Sequence, residues 1–248
     1  MLHTIRHGEP SGTPLLIAHG LFGSARNWGV VAKRLSDSRE VIAVDMRNHG
    51  ASPWFEAHGY EDLAADLAEV AAGGPHDVLG HSMGGKTAMV LALTRPELVR
   101  KLIVADIAPV AYAHRQSHLI EAMRAVRLDD VDRRSDAAAQ LADVPDDGTR
   151  AFLLQSLDVK GRQWMLNLDV LDAEMERIVG FPEVHGRFEG PTLFLSGGES
   201  DYVRPEHRER IKSLFPKARF ASLPGAGHWL HAEKPREFEA AIRAFLDA

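Results

Sequence analysis

Short apolar runs alternate with helical periodicity along most of the chain, and this alternation restricts the possible folds more than any other feature. Each run ends at a Gly, an Asp or a short polar segment, which is typical of strands buried on both faces of a parallel sheet. Between the runs, apolar side chains recur at helical spacing, as at Leu63, Leu67 and Val70. The pattern predicts an α/β fold with a mostly parallel, doubly wound sheet and right-handed crossovers. The predicted strands are residues 15–18, 41–44, 77–79, 102–105, 192–195 and 219–223.

The alternation is interrupted between about residues 110 and 189, where helical patches occur without any strand-like run. A segment of this length is too long for an ordinary loop between two strands. We therefore expect a core made of residues 1–109 and 190–248, with a helical cap made of residues 110–189 inserted between two strands of the sheet.

One predicted strand leads directly into a Gly-x-Ser-x-Gly motif, Gly80-His81-Ser82-Met83-Gly84, which precedes an Ala- and Leu-rich helical stretch. A sharp turn between strand and helix holds the Ser backbone in a strained conformation. Side chains two residues to either side would collide there unless both were Gly. Such a turn exposes the Ser82 hydroxyl as a nucleophile, and it places the N–H of Met83 at a helix N-terminus, where it can bind an oxyanion.

The same segment also matches the phosphate-binding P-loop pattern, because Gly80, Gly85, Lys86 and Thr87 fit Gly-x-x-x-x-Gly-Lys-Ser/Thr. A nucleoside triphosphatase is therefore a competing prediction from a different functional class. Two predicted strand–helix units precede the motif, whereas a P-loop usually follows an early strand. A P-loop also has no need of Gly two residues before and after Ser82. These two features favour the nucleophile turn.

A second Gly-containing loop, His19-Gly20-Leu21-Phe22-Gly23, follows the first predicted strand. In hydrolases with this nucleophile turn, such a loop supplies the second oxyanion N–H. Leu21 is the expected donor and Phe22 the near alternative. The other interpretation is an ordinary Gly turn. The predicted nucleophile turn at Ser82 makes that interpretation the weaker one.

A third loop, Gly225-Ala226-Gly227-His228-Trp229, follows the last predicted strand. A His in this position can reach over the nucleophile as a general base. His231 lies three residues further on and is the weaker candidate, because it is expected to cap or pack at the start of the final helix.

Two carboxylates lie between Ser82 and His228, as the chain order Ser, Asp, His of these hydrolases requires. Asp106 ends one strand run, and Asp201 lies in Gly198-Glu199-Ser200-Asp201 after the next. Both strand ends are expected at the catalytic edge of the sheet, so either carboxylate can orient His228. The residues alone leave both candidates open.

Composition narrows the possible partners. The chain has 248 residues, of which 45% are hydrophobic and 26% charged, as is typical of a globular protein. Its net charge is −6, and it has no basic stretch that could bind nucleic acid. Cys is absent, and the His and carboxylate residues have no convincing metal spacing. The first residues lack the apolar core of a secretory signal, and no run approaches the roughly 20 apolar residues that cross a bilayer. We expect a cytoplasmic protein with no membrane or nucleic-acid partner and no metal, while its oligomeric state stays open.

Five motifs together resemble the α/β-hydrolase fold and, more narrowly, the YbfF-type bacterial esterases and their mitochondrial abhydrolase relatives. The resemblance covers about residues 15 to 245. It implies hydrolysis of carboxylic esters or acyl thioesters without a cofactor, beneath a helical cap. The narrower family favours Asp106 as the acid, whereas the general fold favours Asp201. The motifs are His19-Gly-Leu-Phe-Gly-Ser24, Asp45-Met-Arg-Asn-His-Gly50, Gly80-His-Ser-Met-Gly-Gly-Lys86, Asp106-Ile-Ala-Pro-Val110 and Gly225-Ala-Gly-His-Trp229.

The predicted function is that of a serine hydrolase acting on a small-molecule ester or thioester. Ser82 attacks the acyl carbon, His228 transfers the protons, and the N–H groups of Leu21 and Met83 hold the oxyanion. A C–C bond hydrolase with the same triad is the alternative within this fold, because one fold hosts several chemistries. Three aromatic residues of the predicted cap either line the acyl pocket or, more often at such spacing, pack between helices. They are Tyr112, Phe152 and Trp164.

Overall fold

The computed structural model describes residues 1–113, 115–144 and 146–248, and its centre is a seven-stranded sheet. The sheet has the strand order β1-β3-β2-β4-β5-β8-β9, and β6 and β7 form a separate pair. The first strand is antiparallel to its neighbour, and all other neighbouring pairs in the large sheet are parallel. The described strands are β1 (Thr4–His7), β2 (Leu15–Ala18), β3 (Val41–Val44), β4 (His76–His81), β5 (Val99–Ala105), β6 (Leu157–Asp158), β7 (Gln163–Trp164), β8 (Thr192–Gly197) and β9 (Ala218–Leu223).

Each of the six predicted apolar runs lies within a strand of the large sheet. The strand that the sequence pattern missed is β1, whose sequence Thr-Ile-Arg-His is mostly polar and only partly buried. It pairs with β3 at the edge of the sheet, with Thr4 opposite Val44. Backbone pairing with a neighbour, rather than burial of its own side chains, makes this segment a strand.

Helices fill the connections between the strands. The acidic residues Glu61 and Asp62 lie in the first turn of α2, where their charge interacts favourably with the positive end of the helix dipole. Pro235 begins α11, and its fixed φ angle suits the first position of a helix. Shorter 3-10 turns cover Ala25–Trp28, Pro96–Leu98, Leu128–Asp130 and Leu154–Ser156. The described helices are α1 (Gly29–Leu35), α2 (Tyr60–Val70), α3 (Met83–Thr94), α4 (Ser117–Ala125), α5 (Arg134–Gln140), α6 (Asp147–Leu153), α7 (Leu168–Ala173), α8 (Met175–Val179), α9 (His207–Leu214), α10 (Leu230–Glu233) and α11 (Pro235–Leu246).

Successive side chains of the central strands enter two different hydrophobic cores. Leu16 and Leu63 of α2 belong to the core on one face, together with the buried helix α3. Leu15 and Phe238 of α11 belong to the core on the other face, together with α1. Because both faces of the sheet are covered there, β2 and β3 are apolar at every position instead of alternating with polar residues.

Between β5 and β8 the described chain forms α4 to α8 and the β6–β7 pair. The expectation that this stretch contains no strand is wrong for β6 and β7. Each has only two residues, with Leu157 opposite Trp164, which is too short to leave a pattern in the sequence. The stretch contacts the core where β3 ends, because Gly50 N–H donates to the Met165 carbonyl at 2.7 Å.

Candidate active site

Ser82 lies at the sharp turn between β4 and α3, with φ 53° and ψ −120°. This is a sparsely populated region for a residue with a side chain, and it persists only where the surroundings hold it. A Cβ at Gly80 would collide with the Gly84 carbonyl, and a Cβ at Gly84 would collide with the Ala18 carbonyl. The two Gly residues of the motif therefore permit the close approach that lifts Ser82 to the edge of the sheet.

Lys86 borders the cavity at Ser82, but the polar groups of both Lys86 and Thr87 are bonded to backbone carbonyls of the protein. Thr87 is fully buried, and its hydroxyl donates to the Met83 carbonyl at 3.0 Å, one turn back in α3. The Lys86 ammonium is also buried and donates to the carbonyls of Val179, at 2.8 Å, and Gly180. Burial lowers the pKa of Lys86 to about 7. The arrangement does not fit the phosphate-binding interpretation, since both diagnostic side chains are committed to protein acceptors.

His228 follows β9 and points its Nδ1 at Asp106, with 2.7 Å between Nδ1 and Oδ2. An ionised carboxylate only accepts, so Nδ1–H is the donor in this pair, and Nε2 is the acceptor nitrogen in the neutral form of the ring. The ring stacks on Tyr202, with 4.1 Å between ring centroids. It also lies 4.8 Å from the ring of His81, whose Nε2 bonds to the His228 carbonyl at 2.9 Å. These contacts fix the plane of the imidazole.

Asp106 and Asp201, the two candidate acids, lie in different environments. Asp106 directly follows β5, has φ 52° and is completely buried. Besides His228 it accepts hydrogen bonds from the backbone N–H of Gly197, at 3.0 Å, and from the hydroxyl of Ser200. Asp201 has 61% of its side chain exposed and forms an ion pair of 2.8 Å with Arg204. The structure thus brings Asp106 into contact with Nδ1 of His228.

The loop after β2 lies directly against Ser82. A Cβ at Gly20 would be 3.1 Å from Nδ1 of His81 and 3.2 Å from Cβ of Ser82. Neither the Leu21 nor the Met83 N–H donates to an acceptor within the described part of the chain, and both residues line the same cavity as Ser82. The Phe22 N–H, the near alternative to Leu21, instead donates to Nε2 of His49 at 3.2 Å.

The polar residues that follow β2 and β3 support this loop. Nε2 of His19 accepts from the Met46 N–H at 2.9 Å, and its Nδ1–H donates to the Gly20 carbonyl at 2.8 Å. Asp45 accepts from the backbone N–H groups of Ala25, at 2.7 Å, and Ala51, at 2.9 Å. Burial lowers the pKa of His19, so it stays neutral and can accept at Nε2.

A cavity of about 330 Å³ opens at Ser82 and is lined by both the sheet edge and the stretch between β5 and β8. Tyr112 and Phe152 are part of its lining. Trp164 is not, because it is buried and its indole N–H donates to the Met123 carbonyl at 2.9 Å. The pocket-lining interpretation therefore holds for two of the three aromatic residues, while Trp164 packs between elements.

His231, the second candidate base, lies in α10 and stacks on Trp28 with 4.2 Å between ring centroids. Burial lowers its pKa to about 3. Its position agrees with the expected packing role before the last helix, although it also borders the cavity.

Two neighbours of the candidate triad escaped the sequence reasoning. Ser200 donates to Asp106, and Tyr202 stacks on His228. Both flank Asp201 in the chain, in the loop that the sequence analysis considered only for its carboxylate. No pattern of spacing distinguishes a hydroxyl that supports a carboxylate from an ordinary loop Ser.

No group of three or more His, Asp or Glu side chains is arranged to hold a metal ion in residues 1–113, 115–144 and 146–248. Across the same residues, no helix has the length and apolar character needed to cross a membrane.

The sequence profile of the alpha/beta hydrolase family matches residues 15–241. The chain belongs to this family. The seven-stranded, mostly parallel sheet flanked by helices is the α/β-hydrolase fold that the sequence predicted, and the resemblance to YbfF-type esterases is confirmed by the relatives.

Two curated relatives and one solved structure match almost the whole chain. The sn-1-specific diacylglycerol lipase ABHD11 of Mus musculus is 42% identical, over 98% of this chain and 84% of the mouse protein. Esterase YbfF of Escherichia coli K12 is 39% identical, over 96% of this chain and 95% of its own. A solved structure titled "Marine microorganism esterase" has a TM-score of 0.93 and 37% identity, over 98% of both chains. This chain is thus an α/β hydrolase similar to proteins with esterase and lipase names.

Proposed function

We propose that this chain is a serine hydrolase that cleaves carboxylic esters or acyl thioesters through an acyl-enzyme intermediate. The observation that carries the proposal is the 2.7 Å hydrogen bond between Nδ1 of His228 and Oδ2 of Asp106, because His228 lines the same cavity as Ser82. A strained Ser, an imidazole and a buried carboxylate, each following a different strand, are the parts that nucleophilic acyl transfer needs.

In this mechanism Ser82 Oγ attacks the acyl carbon while Nε2 of His228 accepts the hydroxyl proton. Asp106 holds the Nδ1–H tautomer and stabilises the imidazolium that forms. The N–H groups of Leu21 and Met83 bind the developing oxyanion, each contributing about 3 kcal/mol to transition-state stabilisation. His228 then protonates the leaving alcohol or thiol. A water molecule activated by the same Nε2 releases the acid and restores Ser82.

The cavity favours a small acyl substrate. Its volume of about 330 Å³ lies near the lower end of the roughly 300–1,000 Å³ that ligand pockets span. Its buried cation, Lys86, already donates to the carbonyls of Val179 and Gly180 and is not offered to a negatively charged substrate. The esterase and lipase names of the relatives favour esters over thioesters or C–C bonds.

Residues 110–189 form a cap over this pocket in our proposal, and residues 1–109 and 190–248 form the core. Phe152 and Val179 support this division because they line the same cavity as Ser82. The cap is expected to set the acyl length that the enzyme accepts. The cytoplasmic location stays a prediction from the sequence.

The proposal is tested with p-nitrophenyl esters and acyl-CoA thioesters of graded chain length, using wild type, Ser82→Ala and Ser213→Ala. Ser213 is an exposed residue of α9 and provides a matched loss of one hydroxyl. We expect Ser82→Ala to lose 10³-fold or more of kcat, with Ser213→Ala unchanged. Full activity in Ser82→Ala would contradict the proposal. Stabilisation by ATP that is lost in Lys86→Ala would support the P-loop interpretation instead.

A further inference from the structure

Phe22 has a backbone conformation that its side chain disfavours. Its φ is +63°, in the left-handed region that Gly adopts readily and an aromatic residue rarely does. The residue follows Leu21 in the tight turn from Gly20 to Gly23, which the Gly23 N–H closes by donating to the Gly20 carbonyl at 3.0 Å. Such a conformation persists only where neighbouring groups hold it.

This turn controls where the Leu21 N–H points. The Gly20 carbonyl and the Leu21 N–H belong to one planar trans peptide, so they point in opposite directions. Gly23 and Nδ1 of His19 hold the carbonyl, at 3.0 and 2.8 Å, which directs the Leu21 N–H away from them. If Phe22 left the left-handed region, the Gly23 hydrogen bond would break, and only Nδ1 of His19 would still hold the Gly20 carbonyl.

Both backbone polar groups of Phe22 are held from outside the turn. Its N–H donates to Nε2 of His49 at 3.2 Å, and its carbonyl accepts from the hydroxyl of Ser156 at 2.7 Å. His49 can accept at Nε2 because its Nδ1–H donates to the Arg47 carbonyl at 2.9 Å. Burial keeps the pKa of His49 well below its usual range, so this acceptor persists at ordinary pH.

His49 and Ser156 are themselves joined, although one belongs to the core and the other to the stretch between β5 and β8. The Ser156 carbonyl accepts from the Met165 N–H at 2.8 Å, and the Met165 carbonyl accepts from the Gly50 N–H at 2.7 Å. His49 also pairs with Leu166 in a single antiparallel bridge. His49 and Ser156, the two residues that bond to the Phe22 backbone, therefore belong to one hydrogen-bonded unit.

We propose that Ser156 and His49 are positioning residues for the oxyanion hole, through which the cap sets the direction of the Leu21 N–H. This inference rests on the proposed function, since it assigns the Leu21 N–H to the oxyanion. It gives the cap a part in the chemical step, in addition to its part in substrate selection. Neither side chain touches the reacting atoms, because each acts through the backbone of Phe22.

The test compares Ser156→Ala with Ser156→Thr, which keeps the hydroxyl, and with Gln155→Ala. Gln155 is exposed and precedes Ser156, and it bonds to the core at Asn27 instead of Phe22. The readouts are kcat and KM with p-nitrophenyl butyrate, and the inhibition constants of an alkyl trifluoromethyl ketone and its methyl ketone analogue. The first ketone forms a tetrahedral oxyanion adduct with a nucleophilic Ser, and the second reports ground-state binding.

We expect Ser156→Ala to lower kcat roughly three- to ten-fold, as for the loss of one neutral hydrogen bond. The affinity for the trifluoromethyl ketone should fall by the same factor, whereas KM and the methyl ketone affinity stay unchanged. Ser156→Thr should restore kcat, and Gln155→Ala should match wild type. If Ser156→Ala is unfolded by its melting curve, His49→Gln and His49→Leu supply the same comparison, because Gln retains an acceptor and Leu does not.

If Ser156→Ala has the same kcat and the same trifluoromethyl ketone affinity as wild type, the inference is wrong and the proposed function is unaffected. A loss that appears in KM alone, or equally for both ketones, would also overturn it, because that pattern indicates a binding or folding defect. If wild type fails to bind the trifluoromethyl ketone and Ser82→Ala retains hydrolysis, the proposed function itself is wrong, and this inference fails with it.

Discussion

Replacing Asp106 by Asn keeps the shape of the side chain but replaces one of the two oxygens that accept hydrogen bonds by a donor. The carboxylate accepts from Nδ1 of His228, from the Gly197 N–H and from the Ser200 hydroxyl. An Asn amide has one oxygen acceptor and one NH₂ donor. If its oxygen keeps the Gly197 N–H, its NH₂ faces the Nδ1–H of His228, and the imidazole must turn or change tautomer.

The expected cost is large because the wrong tautomer places a proton on Nε2, where a lone pair must accept the Ser82 proton. Loss of this orienting acid lowers kcat by about 10⁴ in triads of this kind. The buried site also loses the negative charge that stabilises the imidazolium. The free energy of unfolding should fall by only roughly 1–3 kcal/mol, since one of the buried hydrogen-bond donors around residue 106 is left without a good acceptor.

Asp201→Asn is the matched control, because it makes the same chemical change in the neighbouring loop at a side chain that is 61% exposed and paired with Arg204. The assay is steady-state hydrolysis of p-nitrophenyl butyrate, with melting temperatures to show that both variants fold. We expect Asp106→Asn to lose most of its turnover and Asp201→Asn to stay within about threefold of wild type, as for a surface ion pair of small energetic weight. Near-normal turnover in Asp106→Asn with loss in Asp201→Asn would refute the reasoning.

Two further predictions concern the aromatic residues of the cap and the buried Lys86 of the core. Phe152→Ala should change the ranking of p-nitrophenyl esters by acyl length because Phe152 lines the cavity, whereas Trp164→Phe should lower the melting temperature and leave that ranking unchanged. An unchanged ranking in Phe152→Ala would indicate that residues of the core, and not of the cap, select the acyl chain length. The folded chain releases the Lys86 proton near pH 7, whereas an unfolded Lys holds it up to about pH 10.4. The free energy of unfolding of wild type, relative to Lys86→Met, should therefore rise between pH 7 and 10, by at most about 1.4 kcal/mol per pH unit. A flat difference across that range would show that the folded chain keeps the Lys86 proton.

Burial on both faces made the parallel core readable from the sequence. Strands such as β2 and β3 are apolar at every position, and each ends at a conspicuous polar or Gly residue. The edge strand β1 was not readable, because its stability comes from pairing with β3 instead of from its own side chains. The two-residue strands β6 and β7 are shorter than any period that a sequence pattern can show.

Within the site, the motifs predicted where the residues lie in the fold better than they predicted which side chains contact each other. The spacing of Gly80, Ser82 and Gly84 predicted the strained turn because backbone sterics allow few other residues there. The choice between Asp106 and Asp201 stayed open because both follow neighbouring strands. It depends on side-chain direction across the sheet edge, which chain order does not encode. The contacts of His49 and Ser156 with Phe22 were invisible for the same reason, since they join residues 27 and 134 positions apart.

The central claim is that Ser82 forms the acyl-enzyme, and the most direct measurement is the mass of the peptide that carries it. The chain is quenched in acid during turnover of p-nitrophenyl butyrate, or after reaction with a fluorophosphonate, and digested with trypsin. Ser82 then lies in the peptide of residues 48–86, whose other Ser is Ser52. The account predicts a butyryl or phosphonyl mass increase that fragment ions assign to Ser82 and that Ser82→Ala lacks. An adduct on Ser52 or elsewhere, or hydrolysis with no adduct at Ser82 under either condition, would contradict it.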